Sequence, residues 1–142
     1  MSSTGTNEAL GNAQVAFDVP ARPDSLRLLR LGVADRAVAA GLPAEAVDRA
    51  RVVVDELAAV LVAAAAPGSR LRLVVGENGG RLLIRGEVVH GGPMPEVDRV
   101  VVELLDLCVS PEAWDLSGVD QHLCFDAAVS ARWTESDPDR RR

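Results

Sequence analysis

One carboxylate has unusual surroundings in the sequence. Glu56 lies within the stretch Arg51-Val-Val-Val-Asp-Glu-Leu-Ala-Ala-Val-Leu-Val-Ala-Ala-Ala65. Apolar residues recur there at steps of three and four, which predicts one buried stripe of an α-helix. Glu56 and Val60 are four residues apart, so they lie together on a neighbouring face. Glu56 is therefore either a solvated residue at the rim of the stripe or a side chain that points into a pocket.

Two cysteines and two histidines are the other residues with reactive side chains. A thiol nucleophile and its base would need Cys108 or Cys124 beside His90 or His122, but their spacing is not typical of such a pair. The cysteines also lack the spacing of metal ligands. In a reducing compartment, isolated cysteines are expected to be small buried hydrophobic residues. The sequence therefore predicts neither a thiol enzyme nor a metal site.

The charged residues exclude several kinds of chemistry. All 15 basic residues are arginines, and the chain contains no lysine. A Walker lysine, a Schiff-base lysine and the strand lysine of protein kinases are thus absent. The formal net charge is −6 and the isoelectric point is about 4.9. This acidity argues against a nucleic-acid surface, which is normally basic, and is compatible with a basic protein partner.

Length and composition predict one domain with a proper core. Apolar residues make up 48% of the 142 residues, whereas aromatic residues make up 3%. The core must therefore be built from Val, Leu and Ala. No apolar run reaches the roughly 18 residues that a membrane span needs, and Met1–Ala13 lacks the regions of a signal peptide. We predict a cytoplasmic protein with a disordered lead over residues 1–13, a domain over 14–133 and a charged tail over 134–142.

The elements that must position Glu56 follow from hydrophobic periodicity and turn residues. The predicted order is a strand, two helices, a β-hairpin, a helix and two strands: Gln14–Val19, Leu26–Gly41, Pro43–Ala66, Arg70–Val75 with Arg81–Val89, Pro95–Val109, Glu112–Leu116 and Gln121–Ala131. Strands separated by helices, together with a hairpin, predict an α/β (α+β) fold. We expect a two-layer sandwich with a mixed, mostly antiparallel sheet of about five strands and three helices on one face.

The first helix carries arginines opposite its apolar stripe. Asp24 lies at its start, and Arg27, Arg30 and Arg36 follow on the polar side. These charges are either a solvated face or a recognition surface for a partner. Arg suits recognition because its planar guanidinium can hold a carboxylate with two hydrogen bonds.

Two stretches and the order of elements resemble a known family. The stretches are Val-Pro-Ala-Arg-Pro-Asp-Ser-Leu-Arg at residues 19–27 and Arg-Val-Val-Val-Asp-Glu-Leu at residues 51–57. They resemble the anti-sigma factors that are serine-protein kinases of the GHKL superfamily, the histidine-kinase-like ATPases with a Bergerat fold. The closest resemblance is to a divergent actinobacterial branch, and it covers about Gln14 to Trp133.

The resemblance implies binding partners as well as a fold. Members of the family hold a sigma factor through the start of the first helix, where Asp24, Arg27 and Arg30 stand in this chain. They are released by partner switching with an anti-anti-sigma antagonist of the STAS type. They work as homodimers, so the resemblance implies a homodimer here.

The nucleotide motifs of the family are mostly altered in this chain. Glu56 matches the general base of the Glu-x-x-x-Asn motif, but Val60 replaces the Asn that holds Mg²⁺, a cation that requires oxygen ligands. Glu87-Val-Val-His-Gly91 is the best match to Asp-x-Gly-x-Gly, which reads adenine. Residues 97–100, Val-Asp-Arg-Val, replace the Gly-x-Gly-Leu turn that binds phosphate. The resemblance would thus place Glu56, Glu87 and Gly91 at a degenerate ATP site.

We therefore expect an anti-sigma-factor-like regulator of transcription that has lost ATP and Mg²⁺ as cofactors and has no catalytic activity. An alternative is an active serine/threonine-protein kinase that phosphorylates its antagonist with Glu56 as base. A third is a regulator whose pocket binds some other small molecule. Nucleotide binding by the purified protein discriminates among them.

Overall fold

A computed structural model describes residues 14–132 of the chain. The predicted lead over residues 1–13, the predicted tail over 134–142 and Trp133 lie outside the described residues. The predicted order of elements is confirmed: β1 Val15–Pro20, α1 Leu26–Ala39, α2 Ala44–Ala64, β2 Arg70–Asn78, β3 Arg81–Val89, α3 Arg99–Asp106, β4 Trp114–Val119 and β5 His122–Ser130. Short 3-10 turns precede α1 and β4.

The five strands form one sheet in the order β1-β2-β3-β5-β4, with the helices on one face. Every neighbouring pair is antiparallel, so the expectation of a mixed sheet was wrong. Two helices connect β1 with β2, and β2 begins at the end of the sheet where β1 ends. One helix separates β3 from β4, which run the same way, but β5 lies between them. The fold is thus α+β in two layers.

The core lies between the sheet and the helix pair α1–α2. Most of the residues buried on α2 recur at steps of three and four, as predicted. The stripe that they form consists of Val47, Ala50, Val53, Val54, Leu57, Ala58 and Leu61. Phe125 of β5 is fully buried and lies across Gly86 of β3, where an added Cβ would come within 2.4 Å of the ring. Gly86 is therefore required by close packing in the sheet.

Two predicted elements have different limits in the structure. The third helix begins at Arg99 instead of Pro95, because Asp98 accepts a hydrogen bond from the backbone N–H of Val100 at 2.9 Å and caps it there. Val100, in the first turn of this helix, is 61% exposed. The β4–β5 turn is formed by Asp120 and Gln121, both at positive φ. Such turns usually contain glycine, so sequence patterns give little signal for this one.

Arg49 is the one buried charged side chain among residues 14–132, with 6% of its surface exposed. Its guanidinium binds both carboxylate oxygens of Glu45, at 2.6 and 3.1 Å. It also donates to the backbone oxygens of Cys108, after α3, and Ser130, at the end of β5, at 3.1 and 2.8 Å. Arg49 thus joins α2 to the ends of α3 and β5.

Within residues 14–132, no helix is long and apolar enough to cross a membrane.

The Arg49 contacts predict a large loss of stability in Arg49→Met. This substitution keeps much of the side-chain volume but leaves the buried carbonyl group of Cys108 and the partly buried one of Ser130 without their donor. The loss should lower the free energy of unfolding by about 3 kcal/mol. Urea denaturation followed by circular dichroism measures the change. The matched control is Arg51→Met on the same helix, whose half-exposed guanidinium lies 3.6 Å from Asp48 and should contribute under about 0.5 kcal/mol. Equal losses in both variants would contradict the proposed role of Arg49.

Candidate functional site

The start of α1 presents an accessible charged surface. Pro23–Ser25 form a 3-10 turn before the helix, and an Nη of Arg22 lies 2.8 Å from the carboxylate of Asp24. Both side chains are largely exposed, and so is Arg27 in the first turn of the helix. A shallow hollow of about 610 Å³ lies beside them and also includes Val62 and Ala63 near the end of α2. This region therefore combines exposed charges with a small apolar recess.

Arg30 differs from the other charged residues predicted at this surface. Its Nη1 lies 3.0 Å from the carboxylate of Asp55 on α2, and both side chains are partly buried. The pair therefore links the two helices, so Arg30 is committed to a contact within the fold. Asp24 and Arg27 remain the accessible members of the predicted set. The sequence did not indicate this pairing, because residues 25 positions apart can be matched only once the helices are known to be adjacent.

Glu56 is half-buried on α2, one turn before the half-buried Val60. Glu56 lies two turns after Arg49, which donates to the backbone oxygen of Cys108, so Glu56 lies on the side of α2 that faces the segment after α3. Asp55, its neighbour, points instead toward α1. The predicted sharing of a face by Glu56 and Val60 agrees with their position along the helix. Glu56 is thus a carboxylate at the edge of the α2–α3 contact.

Glu87 lies on the other side of the sheet from Glu56. Buried and less buried residues alternate along β3, with Gly86 and Val88 packed toward the helices and Glu87 on the open face. There the Sγ of Cys124, its partner on β5, lies 3.8 Å from a carboxylate oxygen of Glu87. The structure therefore does not bring Glu56 and Glu87 together. Alternation along the strand contains this information, whereas the match to the family motif does not.

Gly91 begins the exposed segment that connects β3 with α3. A Cβ added at Gly91 would meet no atom within 4 Å, and its φ is not positive, so neither packing nor backbone geometry requires glycine here. The preceding His90 holds the segment in place. Its Nδ1 lies 2.9 Å from the backbone oxygen of Ala64 at the end of α2, and its Nε2 lies 2.9 Å from that of Pro93. His90 thus fastens the segment to α2.

The amino terminus of α3 is occupied by a carboxylate of the chain itself. Asp98 accepts a hydrogen bond from the backbone N–H of Val100 at 2.9 Å. Helix amino termini attract anions because their N–H groups are unpaired and their dipole is positive there. Here the negative charge of Asp98 would repel a phosphate from the same place.

A groove of about 640 Å³ lies on the face of the sheet that is not covered by a helix from residues 14–132. Its floor is formed by Val74, Leu83 and Ala128, and Trp114 contributes to one side. Arg85 and Asp126 form an ion pair of 3.0 Å along its wall. The groove therefore offers an apolar floor with a paired polar wall. Sequence patterns identified alternating strand residues but not the groove on this face.

The two thiols are poorly suited to nucleophilic chemistry. Burial raises the pKa of Cys108, and the opposing charge of Arg49 only reduces this effect. Burial also raises the pKa of Cys124, against the charge of Arg85. A protonated thiol is a weak nucleophile, and both ring nitrogens of His90 are engaged by carbonyl oxygens. Among residues 14–132, no group of three or more His, Cys, Asp or Glu is arranged to hold a metal ion.

The sequence matches no model of a known protein family, and no curated protein is significantly similar to it. The functional assignment therefore depends on the residues and on their arrangement in this chain.

The raised thiol pKa values predict a loss of stability at alkaline pH. The unfolded chain loses thiol protons at the ordinary pKa of 9.0, before the folded chain does. The free energy of unfolding should therefore be constant up to about pH 8 and fall as pH rises further. Other groups that titrate near pH 10 are absent, because the chain has no Tyr and no Lys.

Urea denaturation at a series of pH values measures this dependence. The control is the Cys108→Ala, Cys124→Ala double variant, in which the alkaline decline should disappear whatever its stability at neutral pH. The same decline in the double variant would show that the thiols are not its cause.

Proposed function

We propose that the protein is an anti-sigma-factor-like regulator of transcription. In this proposal it binds and sequesters a sigma factor and is released by partner switching with an anti-anti-sigma antagonist of the STAS type. The observation that carries the proposal is the accessible charged start of α1, with Arg22, Asp24 and Arg27 beside a shallow hollow. The resembling family binds its sigma factor at the corresponding place. The Bergerat fold is part of this proposal, and the arrangement of sheet and helices in two layers supports it.

The charges at this surface suit a protein partner. Arg27 lies in the first turn of α1, exposed and next to the ion pair of Arg22 and Asp24. Interfaces depend strongly on a few central residues, among which Arg is common. A net charge of −6 also favours approach to basic partners. Partner binding therefore requires no residue of the nucleotide motifs.

Several features support the loss of nucleotide binding. Val60 has no oxygen for a metal ion, Glu87 lies on the open face of the sheet, and Asp98 occupies the amino terminus of α3. Val60 affects binding of the metal ion, Glu87 affects binding of the adenine base, and Asp98 affects binding of the phosphates. A degenerate kinase that still holds its partner is the function that these features favour. The alternative, an active serine/threonine-protein kinase that uses Glu56, would need all three to be compensated.

We therefore predict negligible affinity for Mg-ATP, with a Kd above about 1 mM, or less than about 4 kcal/mol of binding free energy. Isothermal titration calorimetry with the purified chain provides the measurement. Asp98→Gly, which frees the helix terminus, should not restore binding alone because Val60 and Glu87 are unchanged. Micromolar affinity in the unmodified chain would reject this prediction and favour the kinase.

The partner surface leads to a separate prediction. Asp24→Ala together with Arg27→Ala should weaken binding of the sigma factor at least tenfold, since a central interface Arg commonly contributes about 2 kcal/mol. The sigma factors of the host are purified and titrated against the chain, with binding followed by fluorescence anisotropy. Thermal unfolding should be nearly unchanged, because both side chains are exposed.

Two control variants make this experiment specific. Arg99→Ala removes a guanidinium that is 91% exposed on α3, and it should leave sigma binding unchanged. Arg30→Ala breaks the contact with Asp55, so it should lower the melting temperature slightly. If no sigma factor of the host binds the unmodified chain, the proposed function is wrong; if the double variant binds normally, the partner docks elsewhere.

A further inference from the structure

The groove on the face of the sheet opposite the helices has a floor of small and apolar side chains. The register places Gly76, Leu83 and Ala128 level with one another on β2, β3 and β5. Because glycine and alanine have little or no side chain, space remains on both sides of Leu83. Cavities of roughly 300–1,000 Å³ with apolar linings are typical of sites for small molecules. At about 640 Å³, the groove can therefore hold a ligand with an apolar body.

Carboxylates lie at the β4 end of this groove. Asp115 of β4 and Asp126 of β5 are directly opposite each other in the register, so their side chains point to the same side of the sheet. Asp126 is neutralised by Arg85 at 3.0 Å, whereas Asp115 forms no ion pair with a residue in the range 14–132. Like charges directly opposite each other in a sheet are destabilising. A cation bound at Asp115 would relieve this repulsion.

The lining of the groove is acidic as a whole. Its charged side chains are three carboxylates and two guanidinium groups, which give a net charge of −1: Glu112, Asp115, Asp126, Arg81 and Arg85. Glu112 precedes β4 by two residues, and it too forms no ion pair within the described part of the chain. Trp114 lines the groove between the two unpaired acids, and indole rings attract cations over their faces. Charge and aromatic character thus both favour a cation at this end.

We propose that the groove binds a small organic cation with an apolar body, of the arylalkyl- or alkylammonium class. The ammonium group donates hydrogen bonds to the carboxylates of Asp115 and Glu112 beside Trp114, and such charge-assisted bonds are the strong ones. The apolar body lies across Leu83 and Ala128. The site is on the opposite side of the sheet from α1, so it is separate from the proposed partner surface.

The size of the groove favours a small molecule over a protein segment. The unpaired acids and the indole ring lie at one end, and the apolar floor lies next to them, so one short molecule can contact all of these groups. A stable protein interface covers about 800 Å² on each partner, which extends well beyond a hollow of this volume. A small ligand therefore uses the whole site, whereas a protein would use only part of its own surface.

Three probes with the same body and different head groups test the proposal on the purified chain. Phenylbutylamine carries an ammonium group at neutral pH, phenylbutanol a neutral hydroxyl group, and phenylbutyrate a carboxylate. Amide chemical shifts measured by NMR during titration give the Kd of each probe and the residues at which it binds. We expect the amine to bind at least tenfold more tightly than the alcohol, and the carboxylate to bind most weakly. The shifts should centre on Trp114 and Ala128.

Two variants separate the effect of charge from that of the apolar floor. Asp115→Asn keeps the size of the side chain but removes its charge, so it should weaken the amine at least fivefold and leave the alcohol within twofold. Ala128→Leu fills the hollow and should weaken all three probes. Glu103→Gln, which removes an exposed carboxylate on α3, is the matched control and should change no Kd. Circular dichroism verifies that each variant is folded.

Equal binding of the three probes, or no binding of the amine at millimolar concentration, would overturn the proposal. Unchanged binding of the amine to folded Asp115→Asn would also overturn it. Tighter binding of the peptide Leu-Lys-Leu than of phenylbutylamine would assign the groove to a protein segment instead. These titrations contain no sigma factor, so their failure and the failure of the proposed function are distinguishable.

Discussion

The guanidinium of Arg49 joins three parts of the structure, two of which lie far from it in the sequence. It binds Glu45 on its own helix, the carbonyl group of Cys108 after α3 and that of Ser130 at the end of β5. A buried cation is tolerated only where its hydrogen-bond donors are satisfied, so these partners must be held in fixed positions. The position of α3 relative to α2 therefore depends on this one side chain. Because Glu56 borders the same region, its surroundings depend on Arg49 as well.

The sequence predicted the elements and their order well, because α2 has a strong helical period and Asn78-Gly79-Gly80 marks a hairpin turn with two glycines at positive φ. It did not predict Arg49, since a single charge inside an apolar stripe resembles the solvated residues around it. It also did not predict the β4–β5 turn of Asp120 and Gln121, whose residues are not typical of such turns. Local patterns specify local structure, whereas the Arg49 contacts join residues that are distant in the sequence.

The candidate site was predicted in part. The accessible charges at the start of α1 can be predicted from helical spacing. The ion pair of Arg30 with Asp55 cannot, because it depends on the packing of α1 on α2. The resemblance to GHKL proteins predicted Glu56 and Glu87 at one site. Alternation along β3 instead places Glu87 on the face of the sheet opposite the helices. A motif fixes which residue types follow one another, whereas the direction of a side chain is fixed by the register of the strand.

The distances along the chain between Arg49 and its partners also bear on how the protein folds. The carbonyl groups that it binds lie 59 and 81 residues away in sequence. Contacts of such separation form only after the intervening chain has been ordered, because closing long loops costs entropy first. The β2–β3 and β4–β5 hairpins need no such closure. We therefore expect the two carbonyl contacts of Arg49 to form late in folding, so that they slow unfolding more than they speed folding.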